Sequence, residues 1–114
     1  MKTLGDIKLS ENDRRAIDAA TRMLRERFPI DEIVLFGSKA RGDDDAESDI
    51  DLLLLTSRPM DWRERDAMTS ALFDIEMRFG VLFGTIDAAR EDWQEGVYQV
   101  LPIRYEVDRD GVPV

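Results

Sequence analysis

Four leucines in succession, Leu52 to Leu55, follow Ile50 and Asp51. A strand with one wet face alternates apolar and polar residues, whereas a near-continuous apolar run belongs to a strand covered on both faces. The chain therefore needs layers on either side of a sheet, and the segments around the run supply them. Upstream, Ser10 is a good N-cap and Asp13 suits the first turn of a helix. Ala16, Ile17, Ala20, Met23, Leu24 and Phe28 then recur at helical spacing on one face, and Pro29 ends the helix. Ile33 to Phe36 reads as a short buried strand stopped by Gly37. Downstream, Pro59 and Asp61 open a second helix with the stripe Met68, Ala71, Leu72, Ile75 and Phe79. Gly80 stands where a left-handed C-terminal glycine belongs. Val81 to Asp87 looks like a third strand, weakened by Gly84. Pro102 fits the first turn of a last helix, Ile103 to Asp108, closed by Gly111. The order helix, strand, acidic loop, strand, helix, strand, helix predicts one α/β (α+β) domain over residues 1–114.

Immediately before the leucines, Asp43, Asp44, Asp45, Glu47, Asp49 and Asp51 crowd into nine residues. Like charges so close repel, and a buried strand is a poor neighbour for them unless something positive arrives. The whole chain carries a formal net charge of −9 over 114 residues. That balance argues against general nucleic-acid binding, which needs a basic footprint, and against an anionic membrane surface. The chain has no cysteine and no histidine. Disulfides, thiol chemistry, a histidine base and an imidazole-built zinc site are therefore excluded. No apolar run approaches the roughly 20 residues of a membrane span, and the N-terminus lacks the apolar core of a signal peptide. A cytoplasmic protein with no membrane partner is expected.

Asp49 and Asp51 are two apart at the start of a strand. Side chains alternate along a strand, so both point to one face, with Cα atoms about 7 Å apart. Two carboxylates so placed can converge on divalent cations, and magnesium prefers a few carboxylates, waters and substrate phosphates to an all-protein cage. Gly37 and Ser38 end the preceding strand; glycine admits a phosphate close to the backbone, and the hydroxyl and free N–H groups face anions. Lys39 and Arg41 add positive charge to that turn. The plain alternative for Asp43, Asp44, Asp45 and Glu47 is a solvated loop. A calcium loop fails: counted from Asp43, the sixth and twelfth positions hold Ser48 and Leu54, and counted from Asp45 they hold Ile50 and Thr56, where glycine and glutamate are required.

Gly37-Ser38, ten residues, then Asp49-Ile50-Asp51 matches the GS-x10-D-x-D signature of the DNA polymerase β-like nucleotidyltransferases. The fuller "FGSKARGDDDAESDIDLLL" resembles the minimal nucleotidyltransferase group, with its GS-x-ARG opening. The resemblance implies a short mixed sheet backed by helices. It makes Gly37 and Ser38 a grip on nucleotide phosphates, with Arg41 in the same turn. Asp49 and Asp51 become ligands of two magnesium ions. A third acid on a later strand is implied, and Asp87, at the end of the third apolar run, is the candidate. Asp74 is on the polar face of a predicted helix and ranks below it. ATP is the donor the family implies. Stand-alone chains of this kind resemble the antitoxins of toxin–antitoxin pairs whose partner is a helical RNase of the HEPN class, silenced by transfer of AMP to a tyrosine. Two other readings stay open: a degenerate transferase fold that inhibits its partner by contact, and a transferase acting on a small molecule such as an aminoglycoside. Trp62 and Trp93 are read as buried aromatics, with a contact surface as the alternative.

Overall fold

The computed structural model describes residues 3–43 and 48–114. The solvated-loop reading of Asp44, Asp45 and Glu47 thus falls outside the described residues. After a 3-10 turn at Leu4–Asp6, helix α1 runs from Glu11 to Arg27. Its start is fixed by the Ser10 hydroxyl, which accepts from the Asp13 N–H at 3.0 Å. Strand β1 (Ile30–Phe36) begins as soon as Pro29 has stopped the helix, three residues earlier than the apolar run alone predicts. The short helix α2 (Gly37–Arg41) leads to β2 (Ile50–Thr56). Helix α3 (Trp62–Phe79) opens on a capping box between Asp61 and Glu64 and closes on Gly80 at φ 67°. Strand β3 (Phe83–Ala89) lies two residues later than its sequence signal. Helix α4 (Arg90–Glu95), a 3-10 turn (Val97–Val100), helix α5 (Pro102–Asp110) and the short strand β4 (Val112–Pro113) complete the chain.

The four strands form one mixed sheet in the order β3-β2-β1-β4. β1 is antiparallel to β2 and β4, and β2 is parallel to β3. The parallel pair needs a long crossover, and α3 provides it. β2 is central, which is why its leucines have no polar alternation. Leu52 and Leu54 face α1 and α3, packed with Ile17, Leu24, Ile33 and Leu72. Leu53 and Leu55 face the other way, with Val34, Phe36, Ala88, Trp93 and Val107. Each fully buried leucine of this kind contributes about 2 kcal/mol of transfer free energy. The two tryptophans divide: Trp93 is in the second cluster at 5% exposure, and Trp62 is 71% exposed.

Candidate active site

The antiparallel register sets Phe36 opposite Asp51, so the turn beginning at Gly37 emerges beside the Asp51 carboxylate. The parallel register sets Gly84 of β3 opposite Asp51 on the other side. Both neighbours are glycine for a steric reason. A Cβ on Gly84 would meet Asp51 Oδ1 at 2.6 Å, and a Cβ on Gly37 would run into Oδ2. Gly37 also has φ 76°, a conformation other residues resist. Asp51 therefore stands in a slot two missing side chains wide. Asp49 precedes it at the exposed mouth of the strand.

Burial pushes the Asp51 carboxyl above the ordinary aspartate range, and the negative fields of Asp49 and then Glu106 push it further. Arg41 opposes them. The Arg41 guanidinium donates from Nε to Asp43 Oδ2 at 3.1 Å. Its Nη1 lies 3.6 Å from both Glu106 Oε1 and Asp110 Oδ2, each carried by α5. Gly37, Arg41, Asp49 and Asp51 thus share one corner of the sheet, with Ser38 at the head of the same turn.

Two expectations need correction. Lys39 does not lend its charge to the open side of the turn. It points inward, 2% exposed, with Nζ 2.8 Å from Asp13 Oδ2 of α1. The second concerns Asp87. Paired strands put register partners on the same face, and Asp87 is opposite Leu54, not opposite Asp51. Its side chain accordingly shares the α3 side of the sheet and is ion-paired with Arg65 at 3.1 Å. It does not join Asp49 and Asp51. Asp74 is exposed on α3, as expected. Glu106 and Asp110, which do reach the corner, escaped the sequence reading. Glu106 is inside the predicted last helix, but Asp110 lies two residues past its expected end at Asp108; the spacing of four that gives them one face appears once the helix runs on to Asp110.

The donor set fits a hard divalent cation. It is all oxygen, it is negatively charged beyond what Arg41 offsets, and Asp51 is held without a covering side chain. Among the described residues no group of three His, Cys, Asp or Glu side chains is close enough to share an ion. Two carboxylates completed by waters and phosphates is a coordination that magnesium accepts. No helix among the described residues is long and apolar enough to cross a membrane.

Comparison with known proteins places this geometry. A candidate protein adenylyltransferase of Methanocaldococcus jannaschii, MJ0141, is 33% identical over 57 residues, covering 50% of this chain and 58% of that protein. The chain thus matches little more than half of that relative's length. A solved minimal nucleotidyltransferase superposes with a TM-score of 0.62 at 23% identity, covering 91% of this chain and 94% of the other. A toxin–antitoxin crystal structure with AMP-PNP gives a TM-score of 0.61 at 18% identity, covering 84% and 69%. A mutant form of the MntA–HpeT toxin–antitoxin gives 0.56 at 20% identity, covering 94% and 72%. At these identities the solved structures share the fold. The nucleotidyltransferase domain model matches residues 17–101, a span that holds the Gly-Ser turn, the carboxylate pair and the glycine slot between them, and the chain belongs to that family.

Proposed function

We propose that this nucleotidyltransferase moves AMP from ATP to a hydroxyl, and that the hydroxyl belongs to a tyrosine of a HEPN-type RNase toxin for which the chain is the antitoxin in the cytoplasm. The observation that carries the reading is Asp51, kept bare between Gly37 and Gly84 beside Asp49 and the Gly-Ser turn. The adenylyl donor and protein acceptor follow the name of the M. jannaschii relative, and the toxin partner follows the toxin–antitoxin complexes among the structural neighbours.

Asp49 and Asp51 would hold magnesium, two ions by the family's habit, which supplies charge neutralisation for the triphosphate and acidifies the acceptor hydroxyl. Ser38 and the open backbone at Gly37 receive phosphate oxygens, and Arg41 adds a positive charge beside them. The acceptor oxygen forms its bond to the α-phosphorus in line with the bond that breaks to pyrophosphate. With no histidine in the chain, a carboxylate is the protein group available for the acceptor's proton. Most of the rate then comes from positioning and charge stabilisation.

The test is intact mass. The RNase partner is incubated with this protein, ATP and magnesium, and one AMP adds about 329 Da in a metal-dependent displacement. A partner that is inhibited with no change of mass refutes the transfer. A second reading, inhibition by contact alone, has its own observation: Val97, Val100, Leu101 and Tyr105 are exposed along one stretch, with Val100 at 82%. An exposed apolar stretch of this kind marks a docking surface.

A further inference from the structure

The family match ends at residue 101, yet the two acids that reach Arg41 lie beyond it, at Glu106 and Asp110 on α5. Their spacing puts them on one face of that helix, the face turned to α2. Arg41 Nη1 sits 3.6 Å from each. Asp110 is the better shielded, with its side chain 13% exposed against 39% for Glu106. Asp110 is itself fixed from behind: Arg109 Nη2 donates to its Oδ2 at 2.8 Å. That pair holds the Asp110 carboxyl below the usual aspartate range, with Arg41 adding to the effect. The α5 face is thus charged and turned to Arg41, with Asp110 fixed by Arg109.

The position of that guanidinium matters because of what surrounds it. Asp43 is on its other side, and the field of Arg41 reaches Asp51. A long arginine side chain left alone samples many rotamers, and ordering it on substrate costs free energy. Fixed acids remove that cost in advance. They also keep the charge from collapsing onto Asp51 or Asp49, which would compete with a cation for those carboxylates.

We propose that Glu106 and Asp110 are positioning residues that hold Arg41 for the phosphates of the nucleotide, so that the C-terminal helix is part of the catalytic apparatus. The inference rests on the nucleotidyl-transfer reading for its kinetic part and on the free protein alone for its structural part.

The experiment uses Glu106→Gln/Asp110→Asn, with Glu106→Gln alone as the milder variant should the pair lower stability. In the free protein, the Nη1–Hη signal of Arg41, the group that meets both acids, is followed by NMR at low temperature. It is expected to shift and broaden in the variants, while the Arg65 signal stays in place. An Arg41 signal unchanged in both variants overturns the proposal, whatever reaction the protein catalyses. In the transfer assay, kcat is expected to fall about tenfold, as for a displaced positioning group, with the KM for ATP little changed because two negative charges near an anionic ligand have also been removed. A double-mutant cycle with Arg41→Gln completes the test. If the acids act through Arg41, the added variants cost nothing further once Arg41 is gone. Additive losses, or wild-type kcat in Glu106→Gln/Asp110→Asn, overturn it. If the wild-type protein transfers no AMP, the functional reading falls and the Arg41 signal alone decides between a held and an unheld guanidinium.

Discussion

Asp51 stands between two glycines for one reason: its carboxylate occupies the space their side chains would take. The same slot desolvates it, and Asp49 and Glu106 repel it, so its folded-state pKa lies above the free value. A raised carboxyl pKa means the folded state binds more protons than the unfolded one. Stability contributed at this residue is therefore greatest at low pH and falls as pH rises through the raised pKa. Asp51→Asn removes the charge and keeps the shape. In metal-free buffer it is expected to unfold at higher urea than wild type at pH 7, with the gap closing as pH is lowered toward 4; a gap constant with pH refutes the assignment. Asp49→Ala with Asp51→Ala is expected to stay folded by circular dichroism and to lose AMP transfer entirely. Gly84→Ala should place a methyl 2.6 Å from Oδ1, leave the sheet intact at a cost of about 1–3 kcal/mol, and remove activity by displacing the carboxylate. The face of Asp51, shared with Leu53 and Leu55, was legible because a strand's period is two. The site of Asp87 was not, because it depends on which residue of β3 pairs with which of β2, and no local pattern encodes that register. Gly84 looked like a flaw in a strand and is instead a requirement of Asp51.

Among the elements, α1 and α3 were readable because each carries a cap, an apolar stripe and a stop. Their lengths and ends match those signals. Strands β1 and β2 were readable as buried runs, although β1 extends back to Ile30, where Asp31 and Glu32 break the apolar pattern at an irregularity in the pairing with β2. The segment after β3 was harder. Helix α4 has six residues, the 3-10 turn four, and β4 two, one of them proline, so none is long enough to show a period. β4 exists because Val112 fills the α1 side of the core beside Leu35, a contact known only once the chain has folded. Helix α2 is also too short to stand alone, and its anchorage is the buried pair Lys39–Asp13. Removing Asp13 takes a close carboxylate from a buried ammonium, so Asp13→Ala is expected to destabilise the protein by about 1–3 kcal/mol in urea unfolding. Because α2 carries Gly37 and Ser38, the same change should raise the KM for ATP even at temperatures where the protein remains folded. A fully stable Asp13→Ala variant with unchanged KM would show that α2 is held by other means.

For the molecule as a whole, −9 of charge is spread over a core that the sheet divides into two apolar clusters. Self-repulsion of this size opposes the compact state and is screened by any salt. A cation bound at Asp49 and Asp51 would act differently, since it stabilises by mass action and only where its ligands are intact. The two effects separate at constant ionic strength. Sodium chloride is exchanged for magnesium chloride so that screening stays fixed, and the thermal midpoint is followed by circular dichroism without nucleotide. Wild type is expected to rise with magnesium along a saturating curve. At ten times the dissociation constant the gain is about 1.4 kcal/mol, worth several degrees in a domain of this size. Asp49→Ala/Asp51→Ala should start higher, having lost two repelling charges, and should show no saturating rise. ATP added with magnesium should extend the wild-type curve, because phosphate oxygens complete a coordination shell that two carboxylates leave open. Equal responses of wild type and double variant to magnesium would mean that the cation acts on the charge of the surface at large, and that the strand mouth holds no ion without its nucleotide.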